Sequence, residues 1–310
     1  MPVLSYWGLP PEGLTMPLHY FLVPLATVLI WSGNLIVNKL SAGAIAPGAI
    51  ALYRWVLALL VMTPFIAPSV WRYRREISAV WWKLAILGLL GLAMWQGLAY
   101  FAAAFTSATN MGIFVPIVPL ITLLLSALIL RERPSVGALL GGIVALVGLA
   151  VLMGHGDPLK VLDLGVGLGD GLMLVACVTY AGYSVLLRRW TFEIPRWTAL
   201  YVQASFATLF LVPSFFLGEA SPITAQNIWL ILYAAIPASI VSTYLWMLSI
   251  RLLGANRASI FMNLVPVLTA AFAILFLGEA PALYHFIGGG LALLGVALAQ
   301  VVTKPLPRFS

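Results

Sequence analysis

Apolar runs of about twenty residues follow one another along almost the whole chain, each closed by a few polar, glycine or proline residues. A helix rises 1.5 Å per residue, so about 20 apolar residues cross a hydrocarbon core roughly 30 Å thick. The pattern predicts ten helices, at 18–37, 46–67, 81–104, 109–130, 136–153, 167–187, 197–217, 227–250, 256–277 and 283–302. Ten-residue segments of strict alternation, which a membrane β-barrel would need, are not found. Connections are short except at 154–166, whose Gly, Asp and Pro content predicts a flexible loop. Residues 1–17, rich in Pro and Gly, and 303–310 read as cytoplasmic tails.

The pattern also repeats. Residues 108–151 lie over 255–298 at a constant offset of 147, with 16 of 44 positions identical, among them Phe114/Phe261, Pro119/Pro266, Glu132/Glu279, Pro134/Pro281 and Gly148/Gly295. At an offset of 149, Leu25, Gly33 and Pro64 fall on Leu174, Gly182 and Pro213. The expectation is a first five-helix unit over 18–153 and a second over 167–302. Five is odd, so the second unit enters the bilayer inverted, and the duplication points towards transport.

Composition and charge sharpen this reading. Of 310 residues 63% are hydrophobic and 8% charged, and the mean hydropathy is +1.07, too few charges to cover a water-soluble protein of this size. The net charge of +7 does not point to nucleic acid, because the basic residues sit in short bursts between apolar runs and form no stripe. With the N-terminus placed in the cytoplasm, the inner side takes Arg72, Arg74, Arg75, Lys83, Arg131, Arg133, Arg188, Arg189, Arg196, Arg251, Arg257, Lys304 and Arg308, against Lys39 and Lys160 outside. That bias predicts both termini inside. The inner Arg131-Glu-Arg-Pro134 turn loses its arginines in the outer copy, Gly278-Glu-Ala-Pro281, as inversion requires. The N-terminus has no basic n-region of a cleavable signal.

These residues resemble the drug/metabolite transporter superfamily, ten-helix type with two EamA-type domains. The resemblance rests on Leu29-Ile-Trp-Ser-Gly-Asn34 with Lys39, on Tyr53-Arg54-Trp55, on Tyr100 through Asn110 leading into Pro119 and Arg131-Glu-Arg-Pro134, and on Leu253-Gly-Ala-Asn256, Pro266 and Gly278-Glu-Ala-Pro281. It implies alternating access to a small-molecule substrate in a bacterial inner membrane. Within it the chain resembles the amino-acid exporters, notably the aromatic amino-acid group. A drug or nucleoside/metabolite exporter on the same fold, proton-coupled or not, is the other reading.

Polar side chains inside helices should face protein or a cavity. Trp31, Asn34 and Asn38 share one face of the first helix, and the repeat maps the first two onto Tyr180 and Tyr183. Gln96 and Tyr100 share a face of the third helix, and Gln96 maps onto Thr243. Thr109, Gly112, Pro116 and Pro119 fall together in the fourth, with Asn256, Ser259, Asn263 and Pro266 as counterparts. These are the expected cavity walls, with helix-to-helix hydrogen bonding as the bland alternative. Pro116, Pro119 and Pro266 free carbonyls at residues 112, 115 and 262, which suits a gating hinge and a packed kink equally. Arg54 could hold a substrate carboxylate, cap loop carbonyls or snorkel to the outer surface. Gly137, Gly141 and Gly288–Gly290 favour packing of the fifth helix on the tenth within a monomer over a dimer contact. Trp71, Trp81 and Trp82 read as interface anchors.

No cofactor or metal is expected. Cys177 is the single cysteine, and no Gly-rich loop precedes a Lys-Ser/Thr pair. The acids fall in loops or tails except Asp170, just inside its helix, which favours facilitated movement over proton coupling through Asp170 or His285. Gly167-Leu-Gly-Asp170 and Pro281-Ala-Leu283 resemble intramembrane aspartyl protease signatures, but that chemistry needs two carboxylates sharing a proton, and Asp163 lies only seven residues upstream of Asp170. The chain is not expected to be an enzyme.

Overall fold

The computed structural model describes residues 18–129, 136–160, 167–253, 261–280 and 282–301. The 1–17 tail, the Arg131-Glu132-Arg133-Pro134 turn, residues 161–166, Asn256, Arg257, Ser259, Pro281 and the C-terminal tail lie outside the described residues. So do the side chains of Pro119 and Asn263.

The described chain is helical throughout, without a strand. A turn of 3-10 helix, Leu18–Phe21, leads into α1 (Leu22–Ser41). Pro47, whose missing N–H costs nothing in a first turn, starts α2 (Pro47–Arg72). The rod α3 (Arg74–Ala102) contains a π-helical stretch at Gly88–Met94. The rod α4 joins Ala108–Phe114 to Val118–Ile129 through the 3-10 turn Val115–Ile117, where Pro116 removes a donor from the ladder. Ser107 caps it, its side chain accepting from the Asn110 N–H. Then follow α5 (Val136–Met153), α6 (Leu168–Arg189) and α7 (Arg196–Phe216). The rod α8 joins Ile228–Ala235 and Ser242–Leu253 through a π stretch at Ile236–Val241. The rod α9 runs from Phe261–Leu264 through Val265–Phe272 to a π stretch at Ala273–Leu277, stopped by Gly278 at φ +65°. The last is α10 (Leu283–Val301).

Seven of these rods are long and apolar enough to cross a membrane, and the described parts of the other three are shorter apolar helices, Leu140–Leu152, Val265–Leu277 and Leu283–Gly295. Large apolar side chains such as Phe65, Leu128, Phe216, Leu275 and Phe286 point outwards, as a lipid-facing surface requires and a water-facing one would not tolerate. The chain is a polytopic helical membrane protein.

The two halves pack as a pseudo-two-fold pair. Helix α1 lies against α8 and α9, and its counterpart α6 lies against α3 and α4. Helices α2 and α7 pack together, as do α4 and α9, and α5 and α10. Lys39, at the end of α1, meets the same cavity as Gly167 and Asp170, where α6 begins, so the halves run in opposite directions. Even the irregularities repeat: the π stretches of α3 and α8 and the 3-10 turns at 115–117 and 261–264 occupy matching places.

Helices α5 and α10 meet in a close seam. A methyl group on Gly148 would sit 2.6 Å from the Gly288 carbonyl oxygen, and one on Gly288 would sit 2.7 Å from that of Gly148. Only glycine permits that approach, and it bears out the expected pairing of the fifth and tenth helices within the chain.

One boundary departs from expectation. Only Tyr73 separates α2 from α3, which begins seven residues before residue 81. Helix α3 therefore continues beyond the apolar run as a charged turn, and Glu76, expected in a loop, lies in its first turn, where the helix dipole favours an acid. Trp71, Trp81 and Trp82 around this turn are exposed.

Candidate functional site

Between the halves lies a cavity of about 140 Å³. Helix α1 contributes Trp31, Asn34 and Asn38; α2 contributes Arg54 and Trp55; α3 contributes Gly91, Trp95 and Gln96; α6 contributes Met173 and Tyr180; α8 contributes Ala238, Ser239 and Thr243. The π stretches of α3 and α8 both border it. A π turn displaces carbonyls and side chains from the regular ladder, and such turns recur at functional sites.

Arg54 organises the polar wall. It is 1% exposed, which removes the surface-snorkelling reading. Its Nε donates to Ser239 Oγ at 2.7 Å, and its Nη1 donates to Gln96 Oε1 at 2.8 Å, Tyr100 OH at 3.3 Å and Asn34 Oδ1 at 3.4 Å. Its Nη2 reaches the Ala238 carbonyl at 3.4 Å. That carbonyl belongs to the π stretch of α8, so the alternative of capping a loop is replaced by a bond across the halves. Every partner is neutral, and no Asp or Glu lines the cavity among the described residues. Burying a guanidinium costs several kcal/mol, which neutral acceptors offset only in part.

The order of the network follows from Arg54, which can only donate. Asn34 must turn Oδ1 towards it, so its Nδ2 faces Asn38 and donates to Asn38 Oδ1 at 3.4 Å. Asn38, 1% exposed, is left with an Nδ2 that has no partner. Trp55, whose ring lies 5.6 Å from the Arg54 guanidinium carbon, likewise has an indole N–H without a partner.

The cavity also has an aromatic lining. Trp95 and Tyr180 face each other at 4.8 Å between ring centres, and Trp31 leans on Trp246 at 5.1 Å. Thus Trp31, Asn34, Asn38, Arg54, Gln96, Tyr180 and Thr243 come together at one cavity. Tyr100 stands behind the wall, bonded to Arg54. Tyr183 packs on Tyr180 at 5.5 Å and presses against Gly91 without lining the cavity. Pro116 is buried in its 3-10 turn, while its neighbours Val115 and Val118 line the cavity instead. Pro266 is buried in α9. Trp55, Trp95 and Ser239 were not expected from sequence as cavity residues. Trp95 adjoins Gln96, and Ser239 follows Pro237 inside a helix, a signal for an irregular turn.

A second cavity of about 610 Å³ opens at the end of the bundle where α1 stops and α6 starts. Lys39 Nζ donates to the Ala103 and Thr106 carbonyls, both at 2.9 Å. Thr106 Oγ1 donates to Asp170 at 2.6 Å and accepts from Asn110 Nδ2 at 3.2 Å. The Glu279 carboxylate receives the Ala108 N–H at 2.9 Å, the Thr109 N–H at 3.2 Å and the Thr109 hydroxyl at 2.7 Å. An acid from the second half therefore caps a helix of the first. Thr109, expected on the central face, belongs here, and Gly112 backs onto Thr269. His155 and His285 also line this cavity.

A family model described as the EamA-like transporter family matches the chain twice, over residues 18–154 and 167–300. An uncharacterised transporter of Bacillus subtilis (strain 168), YyaM, is 25% identical over 94% of this chain and 97% of its own length. An uncharacterised transporter of Archaeoglobus fulgidus is 25% identical over 88% of this chain and 94% of its own. A probable terminal-alkyne amino-acid exporter of Streptantibioticus cattleyicolor is 24% identical over 88% of this chain and 90% of its own. A solved crystal structure, 19% identical, matches with a TM-score of 0.59 over 93% of this chain and 99% of that one, a likeness of fold alone.

Proposed function

The chain belongs to the EamA-like transporter family, and from that premise we propose that it exports amino acids, aromatic ones included, across a bacterial inner membrane by facilitated alternating access. The observation that carries this reading is the central cavity, where an amide and guanidinium wall meets an aromatic wall between two inverted halves. Asn34, Asn38 and Gln96 orient the amino-acid head group, with Asn263 expected beside them, and Arg54 holds its carboxylate. Trp31, Trp95 and Tyr180 take the apolar side chain, and Tyr100 and Tyr183 support that wall from behind. The similarity to a probable amino-acid exporter supports the substrate class.

The ten-pass topology, with both termini cytoplasmic, follows from the basic residues. In that orientation the larger cavity with Asp170 and Glu279 faces outwards, and Pro116, Pro119 and Pro266 sit where the rods must bend. Asp170 and Glu279 stand at this outer end, and among the described residues no acid lines the central cavity, which supports movement without proton coupling.

Uptake of labelled phenylalanine, threonine and a lipophilic cation into proteoliposomes, with and without a proton gradient, tests the reading. Saturable amino-acid flux indifferent to the gradient is expected. Flux of the cation alone, or a strict need for protons, would contradict it and turn attention to Asp170 and His285.

A further inference from the structure

Three features of the central cavity point the same way. The Arg54 guanidinium is buried among neutral acceptors. Among the described residues, five buried side-chain polar atoms lack a hydrogen-bond partner, and the two that are nitrogen donors, Asn38 Nδ2 and Trp55 Nε1, both belong to residues of this cavity. The polar side chains nearby already hold partners: Gln96 Oε1 accepts from Arg54 at 2.8 Å, and the Thr243 hydroxyl donates to the Ser239 carbonyl at 2.6 Å. A positive charge with two unsatisfied N–H donors lacks one chemical complement, an anion with several lone pairs.

We infer that the cavity selects its cargo by a carboxylate held between Arg54, Asn38 and Trp55, and that the amino group is dispensable, so that apolar and aromatic monocarboxylates lacking it are cargo as well. This rests on the transport reading above and narrows it. A carboxylate offers two oxygens to the guanidinium edge and the neighbouring donors, and it neutralises the buried charge. An ammonium finds no charged partner among the described residues, only aromatic faces and the carbonyls that Pro119 and Pro266 free at Val115 and Met262. An amine without a carboxylate would add a second positive charge to a cavity with no negative one. A site built of donors rejects the ligand that leaves them unpaired far more strongly than it rejects one missing a peripheral group.

The test uses the native protein in proteoliposomes, with labelled phenylalanine as cargo and three competitors of one shape: 3-phenylpropionate, phenethylamine and phenylalanine amide. The expected result is inhibition by 3-phenylpropionate within about threefold of unlabelled phenylalanine, with the amine and the amide at least about tenfold weaker. Labelled 3-phenylpropionate should itself show saturable flux. In Arg54→Gln, and more mildly in Trp55→Phe, which keeps a ring and loses the N–H, the preference for the acid over the amide should shrink towards one. Competition by the amide equal to that of phenylalanine, with none by 3-phenylpropionate, would overturn the inference and leave amino-acid transport standing. Flux of 3-phenylpropionate without flux of phenylalanine would do the reverse. Flux of neither would overturn both.

Discussion

Arg54 is the residue on which the site turns, and the repeat shows how particular it is. Its counterpart at an offset of 149 is Gln203, also buried, on the rod that packs against the other π stretch. One half carries a charge where the other carries a neutral amide, so the two-fold arrangement is broken at the cavity. Lysine would keep the charge but not the planar fork that reaches Ser239, Gln96 and Tyr100 together. Arg54→Lys should therefore raise the KM for phenylalanine about tenfold in protein that still elutes as a single folded species. An unchanged KM would show that the charge alone suffices. Polar faces made Asn34, Asn38, Gln96 and Thr243 legible from sequence, because a polar residue in a bilayer has few places to go. Trp55, quoted from sequence only for the family likeness, was not legible as a cavity residue because a tryptophan in an apolar run carries no such signal; its unpartnered N–H is visible only once the packing is known. The burial of Arg54 was open between three readings for the same reason, since depth depends on where α8 lies.

At the scale of elements, the glycine seam and the Glu279 cap decide how the halves join. Gly148 touches α10, whereas Gly142, on the same helix, has open space where its side chain would stand. Gly148→Ala should destabilise the fold by about 1–3 kcal/mol, the usual cost of overpacking, and Gly142→Ala should not. Thermal unfolding followed by size exclusion separates the two, and equal loss in both would contradict the seam. Glu279→Gln leaves the Ala108 and Thr109 N–H groups a weaker cap and should cost about 1 kcal/mol by the same assay. A wild-type melting curve would mean that the cap adds nothing to the joint. The helices themselves were readable from the apolar runs, and the α5–α10 pairing from the glycines. The matching π stretches were not: Pro237 marks one, but Gly88–Met94 contains no proline, so only the packing of α7 against it reveals the second. Glu279 read from sequence as part of a turn, because its role depends on a helix end more than 160 residues away.

For the whole molecule, inversion explains why the polar wall lies where it does. Two copies of one helical pattern, facing opposite ways, bring Trp31 and Tyr180, and Gln96 and Thr243, to a shared cavity, and gather Lys39, Asp170 and Glu279 at one end. The central claim is that cargo crosses through that cavity. The most direct measurement is phenylalanine counterflow in proteoliposomes for the native chain beside Asn34→Ala, within the cavity, and Tyr183→Ala, behind its aromatic wall. Flux impaired at least about tenfold in both, with folded protein recovered at the native yield, is the predicted result. Undiminished flux in both variants would contradict the assignment of the cavity as the path.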